Sequence, residues 1–237
     1  MNPIAFIDTE IEPKERKLLD IGSVKDNGSS FHKASLAEFV QFLNGTQFIC
    51  GHNILNHDIK YIGKALYDAG IDPGNIIDTL FLSPLLFPAK PYHALLKDDK
   101  LQSEDANNPL NDSTKAKDLF YDEIAAFKQT DETLKQIFYL LLNDKKEFHA
   151  FFRFIAYTCE STDLETSIHQ KFKNEISELL TWHRINCRIF TALEYPIYLY
   201  KAYCDIKPVK ITTMPVRGII FINHSLKAIK TLPRQVF

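Results

Sequence analysis

The sequence lacks long apolar runs, closely spaced cysteines and, after its first third, almost all glycine. No stretch approaches the roughly 20 apolar residues that a membrane-spanning helix needs, and no basic segment followed by an apolar one marks a signal peptide. The four cysteines are widely scattered and form no Cys-x-x-Cys pair, which is typical of reduced intracellular cysteines. We therefore expect a cytoplasmic protein that contains no membrane span.

Charge is distributed unevenly along the 237 residues, whose net charge is −2. From Ile206 onward there are six basic residues and no acidic one, so subtracting those six leaves −8 on the first 205 residues. An acidic body of this kind argues against a protein that coats duplex DNA by charge alone. It is compatible with a protein that binds the end of a nucleic-acid strand through metal ions.

Glycine usage divides the chain, because seven of its eight glycines fall at or before Gly74. The first part is therefore predicted to be rich in turns, and the remainder to be helical. Hydrophobic periodicity predicts three strands and then alternating helices and strands over about residues 1–128, which is typical of an α/β fold with a mixed sheet flanked by helices. Residues 131–205 are predicted to form an all-helical module, and residues 206–237 a basic tail or linker.

The first predicted strand, Ile4 to Glu10, ends in two carboxylates that share one face. Side chains alternate between the faces of a strand, so Asp8 and Glu10 point to the same side and repel each other unless a cation lies between them. A divalent metal with oxygen ligands is the simplest such cation. The alternative is a strand end that frays into solvent.

Two further acids are in register with the apolar stripes of predicted helices. Asp58 lies four residues before Ile62, and Asp112 lies four residues before Ala116, so each belongs to a core-facing side. An uncompensated carboxylate in a core costs several kcal/mol or shifts its pKa upward. Together with the two strand carboxylates, these acids indicate a site for two divalent ions, which can clamp the phosphate of an in-line hydrolysis. The alternative is a degenerate fold that kept its acids by chance.

Three motifs, in this order, resemble those of the DEDD superfamily of 3′–5′ exonucleases, which have an RNase H-like fold. They are Phe6-Ile7-Asp8-Thr9-Glu10, Gly51-His52-Asn53-Ile54-Leu55-Asn56-His57-Asp58, and Asn107-Asn108-Pro109-Leu110-Asn111-Asp112. The resemblance covers about residues 1–128. The segment from Pro91 to Leu101 further resembles exonuclease domains attached to RecQ-like DNA helicases, although the chain contains no phosphate-binding Gly-x-x-x-x-Gly-Lys.

This resemblance implies an enzyme that hydrolyses DNA from the 3′ end to 5′-mononucleotides with two Mg²⁺ or Mn²⁺ ions, in DNA repair or recombination. It assigns the metal ligands to four carboxylates: Asp8, Glu10, Asp58 and Asp112. It assigns substrate contacts to five further residues: Thr9, Ile11, His52, Asn53 and Asn107. The implied partners are single-stranded DNA or 3′ ends, together with a helicase domain or partner.

The chain departs from this family at the residue that acts on the attacking water. Family members place a His five residues before the last Asp, or a Tyr four before it, whereas this sequence has Asn107 and Asn108 there. Because an amide cannot act as a base, the catalytic candidate is His93, with an ordinary loop histidine as its alternative and His57 as a second candidate. Losing the base lowers the rate by about 10²–10⁴-fold. The rival hypothesis is a weak or inactive module that binds nucleic acid or docks within a helicase.

Aromatic residues recur in the region predicted to be helical, at Phe151, Phe152, Phe154 and Tyr157. Aromatic side chains stack on the bases of single strands in some proteins. Their helical spacing favours packing in a core instead. We therefore expect the helical module to join the nuclease to a partner rather than to bind bases.

Overall fold

A computed structural model describes residues 2–90, 93–95, 108–160 and 163–171. Five strands form one mixed sheet: β1 (Ile4–Ile11), β2 (Leu18–Lys25), β3 (Ser30–His32), β4 (Phe48–Gly51) and β5 (Ile76–Asp78). Their order is β3-β2-β1-β4-β5. The pairs β1–β2 and β2–β3 are antiparallel, and the pairs β1–β4 and β4–β5 are parallel. The predicted α/β class with a mixed sheet flanked by helices is confirmed.

Seven α-helices lie in the described residues: α1 (Leu36–Phe42), α2 (Ile59–Asp68), α3 (Thr79–Leu86), α4 (Pro109–Gln129), α5 (Glu132–Leu142), α6 (His149–Phe154) and α7 (Leu164–Lys171). Ser35 followed three residues later by Glu38 is a sequence signature of a capped helix start, and this prediction is confirmed, since Ser35 Oγ accepts a hydrogen bond from the Glu38 N–H at 3.3 Å. The Glu38 carboxylate pairs with Lys33 at 2.5 Å. None of the described helices is long and apolar enough to cross a membrane.

Hydrophobic periodicity predicts helices that begin near Leu55 and near Asp112, and both helices begin at other residues. The helix α2 begins at Ile59 rather than near Leu55, because the N–H groups of Asn53 and Leu55 donate to the side chain of Asp78 and residues 54–58 form turns. The helix α4 begins at Pro109 rather than near Asp112. Proline is favoured in the first turn, where its missing N–H costs nothing.

One face of the sheet packs against α1 and α2. The strand β1 contributes Ala5 and Ile7 to this face, and both are fully buried. The buried residues of the two helices on this side are Phe39 of α1 and Ile62, Ala65 and Leu66 of α2. These residues belong to one apolar cluster on this side of the sheet.

The opposite face packs against α4 and α6. The ring of Phe6 on β1 lies 5.8 Å from that of Phe120 on α4, and Phe48 on β4 lies 5.3 Å from Phe154 on α6. Phe151 and Phe152 are almost fully buried as well. The expectation that Phe151, Phe152 and Phe154 pack in a core is confirmed.

The chain divides into two compact units. The first comprises residues 1–83, 93–129 and 142–158, so it contains the whole sheet together with α6. The second comprises residues 84–92, 130–141 and 159–237. Within its described part, Lys171 of α7 forms a 2.7 Å ion pair with Asp131. The predicted helices beyond Lys171 and the basic tail, residues 206–237, lie outside the described residues.

Candidate active site

Asp8 and Glu10 lie at the carboxyl end of β1 on the side of the sheet that faces α4. Phe6, two residues before Asp8, contacts α4 through Phe120, and strand periodicity places Asp8 and Glu10 on the same side. Both carboxylates belong to half-buried residues. The register shifts between Glu10 and Ile11, and such irregularities are frequent beside active sites.

Thr9, between the two acids, connects β1 to Asp58. Its backbone N–H donates to Oδ1 of Asp58 at 3.0 Å, and its hydroxyl donates to the same oxygen at 2.6 Å. Asp58 precedes α2 and is 1% exposed, so the predicted burial of this acid is confirmed. Burial raises the pKa of Asp58, while the hydrogen bonds from Thr9 act in the opposite direction. Oδ1 of Asp58, in the second motif, is therefore held by Thr9 in the first motif.

Gly22 allows the first turn of α4 to approach the sheet beside Asp8. Gly22 is the strand partner of Asp8, and a Cβ atom on Gly22 would lie 2.0 Å from the carbonyl carbon of Pro109. Only glycine permits so close a contact between a strand and another backbone. Asp112, in the first turn of α4, is therefore on the same side of the sheet as Asp8, with its side chain 18% exposed and 3.5 Å from Lys115 Nζ.

Asp20 and His32 flank this carboxylate group on the neighbouring strands. Asp20 is the strand partner of Glu10, so two acids face each other across β1 and β2. The His32 Nε2 atom lies 2.7 Å from Oδ2 of Asp20. This contact gives the Asp20 carboxylate a partner on the side away from Glu10. The sequence analysis missed both residues, because only the strand register brings them beside Glu10.

Asp78, at the end of β5, was also missed. It is fully buried, and its carboxylate accepts hydrogen bonds from the N–H groups of Asn53, Leu55 and Leu80. Burial raises its pKa to about 6, despite these three hydrogen bonds. The sequence does contain a signal for Asp78, because this acid ends a buried apolar strand. The carboxyl ends of the parallel strands β4 and β5 meet at the same edge of the sheet, so an acid there lies near the second motif.

Two histidines, His52 and His93, lie against α3. Nδ1 of His52 is 2.9 Å from the Thr79 hydroxyl, and Nε2 of His52 is buried without a hydrogen-bond partner among the described residues. Burial, followed by the nearby charge of His93, lowers the pKa of His52 to about 4. Nδ1 of His93 is 2.9 Å from the hydroxyl of Ser83. His52 is therefore neutral near pH 7.

The remaining predicted site residues are Asn53, Ile11, His57 and Asn107, and they differ in burial and in what they contact. Asn53 has a φ of 65°, which is uncommon for a residue other than glycine. Ile11 ends β1 and is half-buried. The ring of His57 is half-exposed, with Nδ1 3.7 Å from Oδ1 of Asp58. Asn107 lies outside the described residues.

The carboxylates at the end of β1 have the chemistry that a hard divalent cation requires. Protein-bound Mg²⁺ is commonly held by one or two carboxylates together with substrate phosphates, and Asp8 and Glu10 provide such a pair on one face. In the part of the chain that the structure describes, no group of three or more His, Cys, Asp or Glu side chains is arranged to hold a metal ion. A cation at this end of β1 would therefore be held by the carboxylate pair alone and completed by phosphate and water.

Comparisons with protein-family models, with curated proteins and with solved structures found no match for this chain. The motifs and the chemistry of the site are therefore what indicate a function. The most direct link between them is the contact of Thr9 in the first motif with Asp58 in the second.

Proposed function

We propose that this chain is a metal-dependent 3′–5′ exonuclease that hydrolyses DNA from its 3′ end and releases 5′-mononucleotides. The observation that carries the proposal is the pair of hydrogen bonds from Thr9 to Asp58, which joins the first two motifs at the end of β1. The close approach of Pro109 to Gly22 supports it as well, because it brings the third motif to the strand partner of Asp8.

In this proposal the Asp8–Glu10 pair would hold one Mg²⁺ or Mn²⁺ ion, and Asp58 and Asp112 would serve the second ion together with phosphate and water. When bound, these ions supply activation of the attacking water and stabilisation of the leaving 3′ oxygen. The protein has a net charge of −2, and these residues are carboxylates. Binding of DNA phosphate through bound cations is therefore favoured over direct attraction between the protein and the DNA backbone.

The chain's own residues would orient the strand end. The hydroxyl of Thr9 already donates a hydrogen bond to Asp58. Residues 9–11 would therefore contact the terminal nucleotide through their backbone and through the half-buried side chain of Ile11. The neutral His52 would contribute a hydrogen bond rather than a charge. These contacts are local to one 3′ end, which suits stepwise release of mononucleotides.

The proton acceptor in this proposal is His93. Its Nδ1 atom lies 2.9 Å from the hydroxyl of the buried Ser83, which orients the ring. Histidine titrates near neutral pH and is therefore suited to general base catalysis. The resemblance to helicase-attached domains supports a role in DNA repair or recombination, next to a helicase domain or partner.

The decisive experiment incubates a 5′-labelled single-stranded DNA with the purified chain and Mg²⁺ or Mn²⁺. We expect a ladder of products that shorten from the 3′ end, and no products in EDTA. An RNA of the same sequence and a duplex with a recessed 3′ end establish the preferred substrate.

A matched pair of variants shows whether cleavage belongs to this site. Asp112→Asn should abolish cleavage, whereas Asp118→Asn should not, because Asp118 is an exposed carboxylate on the same helix. DNA binding without cleavage in either metal would overturn the exonuclease proposal and favour the nucleic-acid-binding or docking module. Equal loss of activity in both variants would place the reaction elsewhere.

A further inference from the structure

The carboxylate of Asp78 organises the segment that precedes Asp58. Its Oδ1 atom accepts from the N–H groups of Asn53 at 2.8 Å and Leu80 at 2.9 Å, and its Oδ2 atom accepts from the N–H of Leu55 at 3.0 Å. Asp78 itself is completely buried. A buried carboxylate with three backbone donors is a fixed anchor rather than a mobile surface group.

The segment held by Asp78 has no regular secondary structure of its own. Residues 54–58 form turns between β4 and α2, and Asn53 has a positive φ. Removing the acceptor would leave the part-buried N–H groups of Asn53 and Leu55 without a protein partner, which disfavours the present conformation. The side chain of Asp78 therefore determines the conformation of this segment.

Backbone hydrogen bonds transmit that placement to Asp58. The carbonyl of Asn53 accepts from the N–H of His57 at 3.0 Å, and the carbonyl of Ile54 accepts from the N–H of Ile59 at 3.1 Å. These bonds flank Asp58, whose Oδ1 accepts from Thr9. A continuous set of hydrogen bonds thus runs from the end of β5 to the centre of the first motif.

We infer that Asp78 is a positioning residue of the candidate site, which sets the backbone at residues 53–55 and thereby places Asp58 against Thr9. Its effect on cleavage rests on the proposed exonuclease function, while its effect on the segment does not. Asp78 belongs to none of the three motifs and acts through Asp58 rather than on the substrate.

The test compares Asp78→Asn with Asp72→Asn. The amide in Asp78→Asn keeps one acceptor oxygen but places an N–H₂ donor against the N–H of Leu55. Asp72 is a matched control, because its carboxylate also accepts a backbone N–H, that of Gly74 at 2.8 Å, but does so outside the segment before Asp58.

Two readouts separate the positioning role from the proposed function. For Asp78→Asn, amide hydrogen exchange at Leu55 and His57 should accelerate about tenfold or more relative to exchange in the body of α2. In cleavage of single-stranded DNA with Mn²⁺, its kcat should fall by about 10–100-fold, with a smaller change in KM. Asp72→Asn should alter neither quantity, and Asp78→Glu should restore part of kcat.

Unchanged exchange at Leu55 and His57 in a folded Asp78→Asn variant would overturn the inference. An accelerated exchange with unchanged kcat would also overturn it, because Asp58 would then not depend on the segment. A wild-type chain that does not cleave DNA would refute the proposed function alone, and the exchange readout would still decide the role of Asp78. If Asp78→Asn does not fold, exchange in the wild type decides: Asn53 and Leu55 should exchange as slowly as the buried amides of α2, and faster exchange would refute the anchor.

Discussion

Pro109 occupies the space that a side chain on Gly22 would need, because a Cβ atom there would lie 2.0 Å from the Pro109 carbonyl carbon. The backbone of Pro109 cannot move aside as easily as the end of a flexible side chain could. We therefore expect Gly22→Ala to push the start of α4 away from β2 and to destabilise the fold by roughly 1–3 kcal/mol or more. The free energy of unfolding in urea measures this effect.

Gly63 provides the matched control for that substitution. It lies inside α2, where a Cβ atom would meet only Cγ2 of Ile59 at 3.5 Å, an ordinary contact. Gly63→Ala should therefore stabilise the protein by about 0.5–1 kcal/mol, since alanine loses less backbone entropy in a helix. Destabilisation of similar size in both variants would show that Gly22 is not selected for its contact with Pro109.

The contact between Thr9 and Asp58 predicts a second stability effect. Thr9→Val keeps the shape of the side chain but removes the hydroxyl that donates to a buried carboxylate at 2.6 Å. Because hydrogen bonds to charged groups contribute about 1.5–3 kcal/mol, the free energy of unfolding should fall by that amount. Thr9→Ser retains the hydroxyl and should lose less. Equal stability of Thr9→Val and wild type would contradict the contact.

Local sequence signals predicted the elements that carry the site. The alternation in Ile4–Ile11 predicted which face Asp8 and Glu10 share, and the Ser35 cap predicted the start of α1. The burial of Asp58 followed from the stripe of Ile62. These features depend on neighbours within one element, so a single stretch of sequence is sufficient to infer them.

Contacts between distant elements could not be predicted in the same way. A glycine inside a strand indicates a close backbone approach, but nothing in the sequence near Gly22 identifies α4 as the approaching element. The role of Asp78 depends on the parallel pairing of Gly51 with Asp78 across β4 and β5. The position of Asp20 opposite Glu10 likewise depends on a register that hydrophobic patterning does not fix.

Asp78 and His52 give stability two opposing pH dependences. The pKa of Asp78 is raised to about 6 in the fold, so its stabilising contribution is full below about pH 4 and is lost as pH rises through 6. The pKa of His52 is lowered to about 4, so its contribution is full above about pH 6.5 and is lost as pH falls through 4. In the wild type, the two dependences largely cancel between these limits.

Substitution of either residue should reveal the dependence of the other. As pH falls from 6.5 to 4, His52→Gln should gain stability relative to wild type, whereas Asp78→Asn should lose it. Each difference should be on the order of 2–3 kcal/mol, since one pKa unit corresponds to about 1.4 kcal/mol. Urea unfolding at several pH values measures both. Differences of the same sign would show that at least one of the two groups is not perturbed by burial.

The last prediction concerns the proton acceptor in the proposed reaction. His93 is held by the hydroxyl of Ser83 at 2.9 Å, so its ring has a defined orientation. We expect His93→Ala to lower kcat by about 10²–10⁴-fold with DNA binding unchanged, and to remove the acidic limb of the pH–rate profile. Ser83→Ala should have a smaller effect, because it frees the ring without removing the base.

Two comparisons distinguish His93 from the alternatives. If His93 is the acceptor, His57→Ala should leave kcat within a few-fold of wild type. The half-exposed His57 ring lies beside Asp58, so its removal would change only the electrostatic environment of that carboxylate. Asn107→His restores the histidine that the exonuclease family places five residues before its last Asp, so it should raise kcat and rescue part of the loss in His93→Ala. Equal rates for wild type and His93→Ala would eliminate His93, and the proton of the attacking water would then have to pass to solvent or to a site carboxylate.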